Sequence, residues 1–405
     1  MTKNVALAVI GSAYGDEGKG LMTDILAHQG ADIVVRSNGG AQAGHTVTTP
    51  DGKRHVFHHF GSGAFAGVAS HMSQFFVSHP MFLLSEFETL RGMGAKTVIT
   101  TDPRSIITTP YDMMINQFIE QQRAGGRHGS CGVGFGEAIE RSLRADFRIT
   151  VGDLFSDKSI KDTLVKIRSE WVNPRMVALG GDPLSEEQAA IVGNDMILER
   201  FIHDCEDFKA IVGIRQDSDM VGKILFEGAQ GLLLDQDYGA FPHVTRSNTG
   251  LLNMAAIANE AEIDGIDVYY MTRSYTTRHG AGPMAHEGED MSYVEIVDPT
   301  NVHNDWQGTI RAAPLDLEVL EKAISHDLKR VSTEIEVDAG IVVTCLDQLV
   351  DNAVVYEANK QTISLSAAEF ASEVEAFTGF RVKGTSWGAT RDNFRAEDKQ
   401  LTLVK

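Results

Sequence analysis

The stretch that decides the fold is Val5-Ala6-Leu7-Ala8-Val9-Ile10-Gly11-Ser12-Ala13-Tyr14-Gly15-Asp16-Glu17-Gly18-Lys19-Gly20-Leu21-Met22-Thr23-Asp24-Ile25-Leu26-Ala27. Val5–Ile10 is an unbroken apolar run, as expected of a strand buried on both faces. Leu21–Ala27 reads as the opening of a helix. Between them lies a glycine-rich turn ending in a lysine. Glycines let backbone N–H groups approach oxyanions, a helix N-terminus favours negative charge, and a lysine adds a point charge. Strand, turn, lysine and helix together predict a phosphate cradle. The spacing differs from the usual pattern of four residues between the first glycine and Gly-Lys-Ser/Thr. An acid, Asp16, lies inside the turn, where it can act on whatever sits beside a terminal phosphate.

Further short Val- and Ile-rich runs follow: Ile33–Arg36, Thr97–Thr100, Ile224–Phe226, Val268–Met271 and Ile341–Thr344. Helical patterns between several of them predict an α/β fold with parallel strands. Ser185 and Gln188 form a capping box before an expected helix over Ala189–His203. Leu317, Leu320, Ala323 and Ile324 have helical spacing and predict a helix over Leu315–Arg330. Gly125–Gly136 carries six glycines in twelve residues. It is expected to hold no regular element and to be either a surface linker or a loop closing over a ligand. No composition break divides the chain, so 1–405 is read as one domain.

Composition narrows the function classes. The chain has 405 residues, 42% hydrophobic, and a formal net charge of −20. Such a surface repels nucleic acid polymers, so phosphorylated small molecules must be held by local devices. No apolar run approaches the roughly 20 residues that span a membrane. The first strand begins at once, so no leader is expected. Cys131, Cys205 and Cys345 are few, odd in number and dispersed, which points to reduced thiols and a cytoplasmic setting.

Three further stretches sit where open α/β sheets bind ligands, after strands. These are Asn38-Gly39-Gly40-Ala41-Gln42-Ala43-Gly44-His45-Thr46, Phe226-Glu227-Gly228-Ala229-Gln230-Gly231 and Thr344-Cys345-Leu346-Asp347. With Val151-Gly152-Asp153-Leu154-Phe155, Val244-Thr245-Arg246-Ser247-Asn248-Thr249 and Thr277-Arg278-His279-Gly280-Ala281-Gly282-Pro283, they closely resemble the adenylosuccinate synthetase family. The resemblance runs from Val5 to about Asn393.

It implies a P-loop NTPase-like fold: a central, mainly parallel sheet flanked by helices, with irregular insertions. It implies a carbon–nitrogen ligase that removes the N1 proton of a 6-oxopurine nucleotide and phosphorylates O6. The amine of aspartate then displaces phosphate at C6. On this resemblance the catalytic residues are Asp16, His45 and Gln230: base at N1, acid at the phosphoryl group in flight, and holder of the 6-oxo region. Gly15, Glu17, Gly18, Lys19, Gly20, Gly44, His45, Thr46 and Asp347 would bind the donor nucleotide. Asp16, Gln42, Ser130, Cys131, Arg144, Gln230 and Thr245 would bind the monophosphate. Asp16 and the Gly44 carbonyl would ligate Mg²⁺. Arg144 is the match for an arginine that reaches into the partner subunit of a homodimer, with Arg141 and Arg148 as competitors.

The departures from the family pattern are grouped. The aspartate loop ordinarily has four arginines; here Gly308-Thr309-Ile310-Arg311 retains only Arg311, leaving Gly308, Thr309 and Arg311 as the aspartate-binding candidates. Thr309 replaces an arginine that touches the ribose 2′-hydroxyl. Val133 replaces another arginine. Cys345 replaces the lysine whose stem covers the donor base. These changes resemble the bacteriophage branch of the family, which makes N6-succino-2-amino-2′-deoxyadenylate from dGMP, L-aspartate and ATP. IMP with GTP is the alternative, and the donor stays open among ATP, dATP and GTP. A viral member would work in the host cytoplasm.

Overall fold

The computed structural model describes residues 3–123, 130–298, 309–331 and 335–397. Its centre is a ten-stranded sheet. Across the sheet the strands run Phe394–Ala396, Arg381–Ser386, Glu336–Thr344, Gly265–Arg273, Val5–Gly11, Ile224–Gly231, Ile33–Arg36, Ala69–Met72, Ile99–Thr101 and Val212–Ile214. All neighbouring pairs are parallel except the edge strand Phe394–Ala396, which is antiparallel. Strand 224–231 is inserted between 5–11 and 33–36, although those two follow each other in the chain.

Strand 5–11 shows why its sequence is apolar throughout. Ala6, Ala8 and Ile10 join one buried cluster, under helices Leu251–Glu260, Leu317–Lys329 and Ala367–Thr378. Val9 joins the cluster on the other face, where helix Lys19–His28 contributes Leu21, Met22, Ile25 and Leu26. Alternate side chains leave opposite faces of a strand, so a strand covered on both sides has no polar face. A third cluster gathers the helices of the insertions, including Leu83, Ile115, Leu164, Met176 and Phe201. A second sheet of four strands is formed by Tyr275–Arg278, Arg311–Asp316, Ala353–Ala358 and Gln361–Ser366. No helix among the described residues is long and apolar enough to cross a membrane.

Several expectations are corrected. The helix expected over Ala189–His203 is two helices, Glu186–Val192 and Asp195–Ile211. The Ser185–Gln188 capping box starts the first, and Asn194 caps the second by accepting from the Met196 N–H. Leu315 and Asp316 end a strand rather than begin a helix, and the Asp316 carboxylate caps helix 317–329. The strand expected at Thr97–Thr100 is Ile99–Thr101. Within the glycine-rich stretch, 124–129 lies outside the described residues, and Phe135 and Gly136 open a helix, Phe135–Ser142.

Candidate active site

The expected chemistry-bearing stretches lie at the carboxyl ends of parallel strands, where crevices form in open α/β sheets. Loop 12–18 follows strand 5–11, and Gly39–Thr46 follows strand 33–36. Glu227 and Gln230 end strand 224–231, Arg273 ends 265–273, and Thr344 ends 336–344.

Inside the loop, Glu17 is buried and accepts from the Ala13 N–H at 3.0 Å and the Gly15 N–H at 2.8 Å. Its other oxygen receives Lys19 Nζ at 2.9 Å. Glu17 is thus the anion that folds the turn. Gly18 has φ +92, and a Cβ there would lie 3.3 Å from Thr344 Cγ2. An L side chain at that position would be strained by its backbone alone. Asp16 and Gln230 both have φ 64 and Cys345 has φ 60. Left-handed conformations cost non-glycine residues about 1–2 kcal/mol each. Three of the nine non-glycine residues with positive φ among the described residues line the two clefts.

Two clefts open here. The first, of about 180 Å³, is lined by Asp16, Gly18, Lys19, Gly20, Gly44, His45, Thr46, Arg273, Thr344, Cys345 and Asp347, among others. The second, of about 270 Å³, is lined by Gln42, Ser130, Cys131, Gln230, Thr245, Arg246 and Arg278, among others. The loop and the end of strand 224–231 pack closely, since a Cβ on Gly15 would stand 3.7 Å from Gln230 Cα.

His45 is buried, and its Nδ1 lies 2.7 Å from Glu227 Oε1. Its Nε2 has no partner among the described residues. Burial, with Arg36 nearby, drives the imidazole down to about 4, against the pull of Glu227. Burial works to raise the Glu227 carboxyl, but His45, Arg36 and Ser62 outweigh it and hold the group at about 2. Glu227 also accepts from the Ser62 N–H at 3.0 Å. Asp16 is half-buried and no hydrogen bond reaches its carboxylate among the described residues. Burial raises its pKa, while Arg273 and Lys19 oppose the shift. Arg273 Nε donates to the Asp16 carbonyl at 2.6 Å, and its Nη2 to Asp298 at 2.9 Å. In the second cleft, the Gln42 side-chain amide and Gln230 Oε1 are buried without partners among the described residues. Asn38 clamps the residue before Gln230, accepting from the Ala229 N–H at 2.7 Å.

The structure therefore groups Asp16, Gly18, Lys19, Gly20, Gly44, His45, Thr46 and Asp347 in one cleft. It groups Gln42, Ser130, Cys131, Gln230 and Thr245 in the other. Gly15 and Glu17 lie within the loop and line neither. Arg144 is exposed and also lines neither cleft. Its competitor Arg141 is fully buried in a two-pronged pair with Asp112, at 2.8 and 2.9 Å, so it cannot leave the subunit. Arg148 Nε donates to the Ser142 carbonyl at 2.6 Å. Thr309 is exposed and lines neither cleft. Arg311 is turned to Glu287 at 2.6 Å and to the Gly280 and Gly282 carbonyls at 2.7 and 2.9 Å. Gly308 lies outside the described residues. Sequence reading gave no role to Glu227 or Arg273. Each was signalled by a charge inside an apolar strand run, Ile224-Leu225-Phe226-Glu227 and Tyr269-Tyr270-Met271-Thr272-Arg273.

A parallel sheet with a phosphate-type loop and two clefts lined from its strand ends fits a nucleotide-using enzyme class. The comparisons narrow the class. The adenylosuccinate synthetase family model matches residues 8–325. The adenylosuccinate synthetase of Clostridium acetobutylicum is 32% identical over 352 residues, covering 83% of this chain and 79% of that protein. That of Clostridium botulinum is 31% identical over 317 residues, covering 74% and 67%. Among solved structures, fully ligated adenylosuccinate synthetase of Plasmodium falciparum superposes with a TM-score of 0.70 at 18% identity, covering 97% of this chain and 100% of that one. Cyanophage S-2L succinoaminodeoxyadenylate synthetase, bound to dGMP and dATP, gives 0.61 at 16% identity, covering 98% and 97%.

The chain belongs to the adenylosuccinate synthetase family. It is a carbon–nitrogen ligase that uses a purine nucleotide, aspartate and a nucleoside triphosphate.

Proposed function

We propose that this ligase joins L-aspartate to dGMP, forming N6-succino-2-amino-2′-deoxyadenylate with ATP as donor. The observation carrying this reading is Thr309, a short, exposed residue where the family pattern places the arginine for the ribose 2′-hydroxyl. A nucleotide without that hydroxyl needs no donor there. The solved neighbour bound to dGMP and dATP has the same fold.

In this reading the two clefts have different tenants. The triphosphate lies along Gly18, Lys19 and Gly20, and the monophosphate between Gln42, Gln230 and Thr245, with Ser130 and Cys131 toward its phosphate. Asp16 takes the N1 proton, and its raised pKa makes it a stronger base than an exposed carboxylate. The γ-phosphoryl group moves to O6 and the nucleoside diphosphate leaves. Charge develops on the phosphoryl oxygens, where preorganised donors do most. His45 supplies one: its Nδ1–H is taken by Glu227, so the triphosphate's charge draws the second proton to Nε2. Gln230 holds O6. The aspartate amine then bonds to C6, and phosphate departs with the former O6.

The Asp16 carboxylate, free of hydrogen bonds, and the Gly44 carbonyl on the same cleft offer hard oxygen donors that fit Mg²⁺. Bound there, Mg²⁺ would neutralise donor phosphate charge. Arg144, exposed, fits an arginine offered to a second subunit of a homodimer.

A second reading, IMP with GTP, is favoured by the bacterial relatives' names and by Asp347. That carboxylate is exposed on the donor cleft without a partner among the described residues and could accept guanine N1–H and N2–H. Purified protein given aspartate and Mg²⁺, with dGMP, GMP or IMP against ATP, dATP or GTP, separates the two. Phosphate release is expected to be fastest with dGMP. Preferred turnover of IMP overturns the proposal.

A further inference from the structure

Beyond the two clefts, a separate cavity of about 310 Å³ lies beside the second sheet. Its charged and titratable lining is His286, Glu289, Asp316, Glu318, Glu357 and Lys360. His286 with Glu289, Asp316, and Glu357 come from three places in the chain: the segment after strand 275–278, the end of strand 311–316, and strand 353–358.

The His286 ring is oriented from one side. Its Nε2 lies 3.0 Å from Asp316 Oδ2, while Asp316 Oδ1 caps helix 317–329 by accepting from Glu318 and Val319 N–H groups. A carboxylate so committed accepts the Nε2 proton and fixes the orientation of the ring. On the other side Nδ1 donates to Glu289 Oε1 at 2.9 Å, with Glu357 beside them; against partial burial the two carboxylates raise the ring's pKa, and an ion here would take the place of the Nδ1 proton. The three ligand atoms all lie within 4.8 Å of one another. Donor atoms on a tetrahedral Zn²⁺ stand about 3.4 Å apart, given bonds of about 2.1 Å. Small rotations of Glu289 and Glu357 would close the set.

Glu357 is 6% exposed, and its carboxylate is met by the Thr362 hydroxyl. Glu289 is paired with His286, and Lys360 lines the same cavity, so an ion would add to cations already present. A carboxylate behind a histidine, fixing which nitrogen faces the ion, is the common outer support of metal-bound histidine.

We propose that His286 Nδ1, Glu289 and Glu357 form a site for a divalent ion of the zinc class, with Asp316 as the support behind His286. A nitrogen donor sets it apart from an all-oxygen Mg²⁺ site. The ion would tie the 279–298 segment to strand 353–358. That segment reaches both clefts, through Gly280 and Ala281 on one and Val297 and Asp298 on the other. The site therefore steadies substrate binding rather than the chemical step.

The test uses the full chain stripped of metal, without nucleotide, titrated with Co²⁺ and followed by visible absorption and calorimetry. One Co²⁺ per chain is expected, displaced by Zn²⁺. His286→Ala and Glu357→Gln should each weaken it at least tenfold, and Asp16→Ala should leave it unchanged. Zn²⁺ should also lower KM for the monophosphate with kcat little altered. If His286→Ala does not fold, Glu289→Gln, checked by circular dichroism, takes its place. Equal Co²⁺ binding by parent and variants, or no binding without nucleotide, overturns the proposal. Because no substrate is present, the result stands apart from the choice between dGMP and IMP.

Discussion

Glu227→Gln removes one charge from the middle of the candidate site while keeping its shape. The carboxylate faces His45 at 2.7 Å and Arg36 at 3.7 Å, and all three side chains are buried. A hydrogen bond to a charged group contributes about 1.5–3 kcal/mol. If it acts when His45 carries charge in the transition state, its loss lowers kcat about 10- to 150-fold. The same change leaves the Arg36 guanidinium without its carboxylate, and breaking a buried pair costs about 3–5 kcal/mol of stability. The two effects separate experimentally. Urea unfolding measures the second. Steady-state phosphate release at low temperature, on protein shown to be folded, measures the first. The drop should fall in kcat, with KM for aspartate little moved. Since Glu227 holds the His45 pKa up, the variant's acid limb should also shift to lower pH. A folded Glu227→Gln protein with kcat within twofold of the parent would refute the role given to this pair.

Asp16→Ala should lower kcat by about 10²–10⁴, the usual range for a positioned base, and phosphate release from dGMP and aspartate reads it directly. Retention of substantial activity would remove Asp16 from the mechanism. Asp327 gives a stability prediction. Burial lifts its pKa from 3.8 to about 6, against hydrogen bonds from Tyr270 and the Leu251 N–H. The folded state therefore holds this proton more tightly than the unfolded chain. Its contribution is fully present below pH 3.8 and is lost as pH rises through 6, amounting to about 3 kcal/mol. Asp327→Asn should flatten that part of the urea-unfolding profile between pH 4 and 6. An unchanged profile would show that another group titrates there.

The fold was legible where burial is two-sided. Val5–Ile10 and Ile33–Val35 are apolar because both faces are covered, and both lie in strands. What escaped detection is short or shares its signal. Val212–Ile214 and Phe394–Ala396 are three residues each at the sheet's two edges, too brief for a pattern. The break at Gly193–Asn194 hides within apolar spacing that continues on both sides. The neighbours of Asp316 keep helical spacing, which hides that it is the cap. At the site, glycines and chemistry-bearing residues after strands make Asp16, His45 and Gln230 visible. Glu227 gives no such sign, since only tertiary structure shows which histidine it faces.

The insertion of strand 224–231 between 5–11 and 33–36 bears on how the enzyme comes into being. A ribosome releases Asp16, Lys19 and His45 early, but the walls that complete their clefts, Gln230, Arg273 and Thr344, emerge much later. Until then strands 5–11 and 33–36 have a gap between them that no earlier segment fills. A chain ending before strand 224–231 carries the loop without the strand and cleft residues that surround it here. Long-range pairing of this kind also makes folding slow relative to helical bundles, so competence arrives late and all at once.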